Sequence, residues 1–199
     1  MKLLALRCPT CVQALTPQNP EVVVLRCGNC ETAVSISDTG LDITPIQFAA
    51  PATEPEQIDA WVPLWIFNGR VNITSRQTQG RNSQAEQDAQ QLWGYSRRLY
   101  VPAWDLPTEE VCQLGGDLVQ RQPAFPTIDS PPAKATLIEA VITPEDALKL
   151  LEFVVFNVEA ARKDWLKELR FTIEAAEPQL WAIPAWKQGN GWRLQPLIE

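Results

Sequence analysis

Apolar positions along this chain recur with two different periods. Near the start, Glu21-Val22-Val23-Val24-Leu25-Arg26 and Thr32-Ala33-Val34-Ser35-Ile36 read as two strands, one leading into and one out of a turn at 27–30. Arg70-Val71-Asn72-Ile73-Thr74 and Arg170-Phe171-Thr172-Ile173-Glu174 alternate with period two, as half-buried strands do. Leu180 to Trp186 and Trp192 to Leu194 flank Lys187-Gln188-Gly189-Asn190-Gly191, whose glycines and asparagine predict a hairpin connection.

Helical spacing is clearest after Thr143-Pro144-Glu145-Asp146. Threonine there suits an N-cap, proline the first helical position, and the two acids the positive end of the helix dipole. Leu148, Leu151, Val155 and Val158 then recur on one face. Phe153, Val154 and Phe156 widen that face, which predicts a helix buried over most of its surface. Thr108-Glu109-Glu110-Val111 predicts a short helix, capped by Thr108 and ending at Gly115-Gly116. Ser83 to Trp93 is polar and rich in Gln, Ala and Glu, and reads as a helix or an ordered loop.

Strands, then helices, then strands predict an α+β fold. Its organisation reads as a small β module over residues 1–44, a linker over 45–60 and a mixed α+β domain over 61–199. The linker assignment rests on three prolines, three acids and small residues between 45 and 60, because proline continues neither a ladder nor a helix.

Composition narrows the chemistry. A chain of 199 residues suits a small module joined to a medium domain. Its formal net charge of −7 repels phosphate backbones, so any nucleic-acid site has to be a local cluster. There is no histidine, which excludes Ser-His and Cys-His nucleophile pairs and imidazole-bound catalytic metals. No Gly-rich phosphate loop occurs, and no two carboxylates cluster as an acid–base pair would. The chain therefore reads as non-enzymatic. The apolar run Leu3-Leu4-Ala5-Leu6 stops at Arg7, short of the about 7–15 residues a signal peptide needs, and reads as the first strand of the N-terminal module. No later apolar stretch approaches the ~18 residues that cross a bilayer. Reduced thiols without a signal predict a cytoplasmic location.

Cys8-Pro9-Thr10-Cys11 and Cys27-Gly28-Asn29-Cys30 are two CxxC knuckles with 15 residues between them. Two residues between cysteines let one tight turn present two sulfurs, and four thiolates at this spacing fit tetrahedral zinc. The strands between and after the knuckles complete the layout of a zinc ribbon. With Cys8, Cys11, Cys27 and Cys30 as ligands no coordination position stays open, so the expected Zn²⁺ is single and structural. Iron held by four cysteines is the alternative. The fifth cysteine, Cys112, reads as buried apolar filler.

Two further sets of residues stand out. Val62-Pro63-Leu64-Trp65, Val101-Pro102-Ala103-Trp104 and Ile183-Pro184-Ala185-Trp186 share a pattern, with Trp61 and Tyr100 preceding the first two. Each is either an edge strand or strand entry whose tryptophan fills core or part of an aromatic surface for a protein partner, in which case Trp61, Trp65, Trp104 and Trp186 are the candidate contacts. Arg70, Arg76, Arg81, Arg97 and Arg98, with Trp65, Trp93 and Tyr95 nearby in sequence, form the best local positive cluster for nucleic acid.

The two knuckles resemble those of the bacterial zinc-ribbon superfamily. The ribbon followed by Trp61-Val62-Pro63-Leu64-Trp65, Tyr100-Val101-Pro102-Ala103-Trp104, Leu114-Gly115-Gly116-Asp117-Leu118 and Gln122-Pro123 is similar to small bacterial ribbon proteins labelled after the primosomal helicase, primosomal protein N′ (replication factor Y). No ATPase motif accompanies the ribbon, so no helicase residue carries over. The reading that results is a cytoplasmic zinc-ribbon adaptor or assembly component that binds a protein. The alternative is a nucleic-acid-binding accessory protein in replication or transcription.

Overall fold

Val24–Arg26 (β1), Ala33–Ser37 (β2) and Gly40–Ile43 (β3) form a three-stranded antiparallel sheet in that order. Its register sets Leu25 opposite Val34, and these side chains join Leu15, Val22, Cys8 and Cys27 in a small apolar cluster. The computed structural model describes residues 5–51, 58–79, 83–129, 136–189 and 191–194. The segment read as a first strand lies partly outside these residues. Within them, Arg7 makes one antiparallel bridge to Ala14.

Among the described residues the second sheet is mixed and has seven strands: Ile46–Ala49 (β4), Ala60–Thr78 (β5), Arg97–Pro102 (β6), Thr127–Ile128 (β7), Leu166–Ala175 (β8), Gln179–Gln188 (β9) and Gly191–Leu194 (β10). Strand β5 is its spine. One edge of β5 pairs with β9 from Ala60↔Ala185 to Ile66↔Gln179, then with β8 from Gly69↔Ala175 to Thr78↔Leu166. The other edge pairs with β6 from Leu64↔Pro102 to Gly69↔Arg97. Among the described residues the helices Ser83–Trp93 (α1), Thr108–Arg121 (α2) and Pro144–Ala160 (α3) complete an α+β fold. Leu64, Phe67, Leu99, Val101, Leu151, Val154 and Val155 all belong to the main core.

Several expectations change. Helix α2 runs through Gly115-Gly116 to Arg121 and begins behind Pro107 with no side-chain cap. The glycines serve close packing, not termination. A Cβ on Gly115 would lie 2.8 Å from the Tyr100 carbonyl oxygen, and one on Gly116 would lie 3.0 Å from Val158 Cγ2. The helix ends instead at Gln122, a non-glycine residue in the left-handed region (φ 48). Its side chain holds it there: Nε2 donates to the carbonyls of Arg98 and Val119, and Oε1 accepts from the Arg98 N–H.

Helix α3 starts as read, with Asp146 N donating to Thr143 Oγ1 at 3.1 Å behind Pro144. It is not buried over most of its surface. Leu151, Val154, Val155 and Val158 face the core, whereas Leu148, Phe153 and Phe156 are 43%, 58% and 50% exposed. The apolar set spans more of the helix circumference than the sheet and α2 cover.

The 45–60 segment is not simply a linker. Ile46–Ala49 is strand β4, parallel to β9 and antiparallel to β7, with Phe48 and Ala49 buried. Pro45 and Pro51 lie just outside the strand and bound it, while residues 52–57 fall outside the described ones. The ribbon is also docked. Val24 bridges Ala140 on the approach to α3, and the Glu139 carboxylate accepts the N–H groups of Gln18 and Asn19 at 2.8–3.1 Å. Val24 accordingly belongs to the main core, not to the ribbon's own cluster.

The three proline–tryptophan segments lie side by side on β6, β5 and β9. Pro63 and Pro184 sit inside paired strands, not on an outer edge. Trp61 N–H donates to Thr136 O, and the Pro63 carbonyl accepts from Ala103 N–H, so these alternate positions point away from the β5–β9 ladder. A missing proline N–H therefore costs that ladder nothing.

Candidate functional site

The four knuckle cysteines converge. Their sulfurs all lie within 4.8 Å of one another, with Cys8 and Cys30 Sγ 3.5 Å apart and Cys11 and Cys27 Sγ 3.6 Å apart. Both knuckles are tight backbone turns: Val12 N–H donates to Cys8 O and Glu31 N–H to Cys27 O, each at 2.9 Å. Val12 and Glu31, directly after each second cysteine, share φ 63. This matched left-handed residue aims the sulfurs of each pair to one side.

These sulfurs are thiols and not disulfides, since a disulfide needs about 2.05 Å. The side chain and then the backbone of Thr32 hold the Cys30 thiol down to about 6. Cys11 goes the other way. Bonds from the Gln13 backbone and the Asn29 side chain favour its thiolate, yet burial and the neighbouring Cys30 and Cys27 thiols push it up to about 11. The Cys11 thiol thus resists ionising beside its neighbours, and a bound cation would favour its thiolate. The cluster can hold a metal ion with four protein ligands. The other cysteine, Cys112, is buried on α2, and desolvation raises its pKa.

The candidate tryptophans separate from this centre. Trp61, Trp65 and Trp104 are buried in the cores, and Trp65 Nε1 donates to Ile142 O at 2.8 Å; Trp186 is half-buried under the Arg193 guanidinium. Of these four, the first three are buried at 4%, 4% and 2% exposure and are core, which leaves them no area for a binding surface.

The arginine set divides in three. Arg76 is sequestered: Nε donates to Glu159 Oε2 at 2.7 Å, and the guanidinium forks onto Asp164, with Nη2 to Oδ1 at 2.9 Å. Glu159 is fully buried and also accepts from Arg162 Nε and Trp93 Nε1. Arg76 thus holds a structural network that joins α1, α3 and β5. Arg81 lies outside the described residues. Arg70, Arg97 and Arg98 come together in one cleft where β6 begins, which Glu174 also lines.

Sequence reasoning missed the exposed apolar residues. Besides Leu148, Phe153 and Phe156 on α3, Trp165 is 76% exposed just before β8 and adopts φ 50, a left-handed conformation rare for a bulky residue. Helical period alone cannot say which part of a wide apolar stripe a fold will leave uncovered. No described helix is long and apolar enough to cross a membrane. No protein-family model, curated protein or solved structure matches the chain.

Proposed function

We propose that this chain is a cytoplasmic, non-enzymatic adaptor or assembly component. In this reading Cys8, Cys11, Cys27 and Cys30 hold one structural zinc ion, and the outward face of α3 binds a partner protein. The observation that carries it is the exposure of Leu148, Phe153 and Phe156 on one helix. Aromatic side chains left in water beside a well-filled core are the residues interfaces use as anchors. Glu145, Asp146 and Glu152 on the same exposed surface outnumber Lys149, so the partner that fits has an apolar centre and a basic rim.

Zinc is favoured by the ligand set. A zinc–sulfur distance of about 2.3 Å in a tetrahedron sets sulfurs about 3.8 Å apart, close to the 3.5 and 3.6 Å separations here. With four protein ligands the ion has no position for water or substrate, and its work is to fix the ribbon. The likeness to bacterial zinc ribbons and to proteins labelled after replication factor Y rests on these knuckles and the proline–tryptophan segments. Nucleic-acid binding draws less support, because Arg76 is committed to Glu159 and Asp164.

The test is affinity purification of the tagged chain from its own cells after nuclease treatment, alongside the Phe153→Asp/Phe156→Asp variant. A protein partner that survives nuclease and disappears with the variant supports the reading. Partners that vanish with nuclease, or that bind the variant equally, oppose it.

A further inference from the structure

We propose that the cleft at the head of β6 binds a dianionic phosphate monoester. The cleft has a volume of about 790 Å³ and is lined by Asn68, Arg70, Arg97, Arg98, Gln122 and Glu174 among others. This inference does not depend on the adaptor reading.

The first argument is charge. Among the described residues, Arg26, Arg76, Arg162 and Arg170 each sit against a carboxylate within 3 Å. Arg7, Arg121 and Arg193 make no such pair and lie outside the cleft lining, whereas Arg70, Arg97 and Arg98 make none and share one cleft, although the chain carries 24 acidic residues. Three guanidinium charges and the single carboxylate of Glu174 leave the lining with a formal charge of +2 on a chain of −7. Such a concentration of unmatched cations costs free energy unless an anion joins it.

The second argument is preorganisation. Arg98 lies over the Trp181 ring at 5.9 Å, and Arg97 over the Trp93 ring at 6.0 Å. A cation–π contact with a ring face restrains each guanidinium without using its N–H donors. Gln122 brackets the Arg98 backbone from both sides and so locks the strand entry to the end of α2. Arg97 makes one weak bond, Nη1 to Val119 O at 3.3 Å, and its buried Nε has no partner. The fully buried Tyr100 hydroxyl lies within reach of both the Arg97 and Arg98 charges. Burial lowers the pKa of Arg97, a cost that a bound anion would offset.

The ligand class follows from charge and size. A phosphate monoester carries close to −2 at neutral pH, because its second pKa is about 6. A carboxylate or a phosphodiester carries only −1 and leaves half of the cleft's charge unmatched. The volume exceeds what inorganic phosphate fills and leaves space for the organic group. Guanidinium forks pair with phosphate oxygens two at a time.

The experiment is calorimetric titration of the full-length, metal-loaded protein with phenyl phosphate, dimethyl phosphate and acetate, and with a short single strand with and without a 5′-phosphate. Saturable one-site binding of phenyl phosphate, about tenfold or more tighter than dimethyl phosphate or acetate, is expected. Arg98→Gln should weaken it by about tenfold, with the thermal unfolding profile retained. Arg70→Gln, at an exposed position, should weaken it without touching the packed residues. No saturation by about 10 mM, equal binding of the diester, or unchanged binding in both variants overturns the proposal. Equal affinity for strands with and without the terminal phosphate also overturns it, because the diester backbone would then be the ligand.

Discussion

Val24 and Ala140 exchange backbone hydrogen bonds, Ala140 N–H to Val24 O at 2.9 Å and Val24 N–H to Ala140 O at 3.2 Å, and both residues are buried. Val24 lies three residues before Cys27, and Ala140 lies four before the first residue of α3. The cysteine cluster and the main core are therefore joined through this short ladder, and ribbon and body share packing.

Removing the metal should destabilise more than the ribbon. A structural zinc contributes on the order of 10 kcal/mol to small ribbon-like folds. A strong chelator, or Cys27→Ser, should unfold residues 5–44 and also lower the Tm of the α+β body. Differential scanning calorimetry with and without chelator checks this. A body transition that stays in place would mean the bridge at Val24 carries no coupling.

Glu139→Gln should loosen the docking. The wild-type carboxylate accepts from both Gln18 and Asn19 N–H, and hydrogen bonds to a charged acceptor contribute about 1.5–3 kcal/mol. The amides of Gln18 and Asn19 should lose about tenfold or more of their hydrogen-exchange protection, with the amides of β5 unchanged.

Gly115→Ala should destabilise by about 1–3 kcal/mol despite alanine's better helix propensity. The new methyl would meet the backbone carbonyl of Tyr100, which cannot step aside. Gly116→Ala should cost less, because its neighbour is a side-chain methyl of Val158. Urea unfolding of the two variants separates the cases.

Stability should also fall in acid through Asp164. The Arg76 guanidinium holds its pKa below the ordinary value. A depressed folded pKa means that its contribution is complete above about 4 and is lost as pH drops through the lower folded value. Asp164→Asn should cost about 3 kcal/mol at neutral pH by leaving Arg76 half-paired, and should flatten the acid limb of the pH–stability curve.

The ribbon was the most legible part of the sequence, because ligand spacing is a local property. The same holds for the start of α3, where Thr143, Pro144 and Asp146 act within one turn. What failed was reading partners that lie far away in the chain. Gly115-Gly116 looks like a stop until Tyr100 and Val158 are seen against it. The prolines of 45–60 look like a linker until β9 is seen beside Ile46–Phe48. Arg76 and Arg98 look alike in sequence, yet Asp164 and Glu159 meet only the first. The tryptophans could be core or surface on spacing alone, and burial decides for core at Trp61, Trp65 and Trp104.

The most direct test of the adaptor account is the affinity of the zinc-loaded chain for its purified partner, compared with Phe153→Asp/Phe156→Asp and with Trp186→Ala. The account predicts a one-to-one complex that the α3 variant weakens by about a hundredfold, about 2.7 kcal/mol, while Trp186→Ala changes it by less than about threefold. Equal affinity for the α3 variant, or self-association of the chain through this face in place of partner binding, would contradict it.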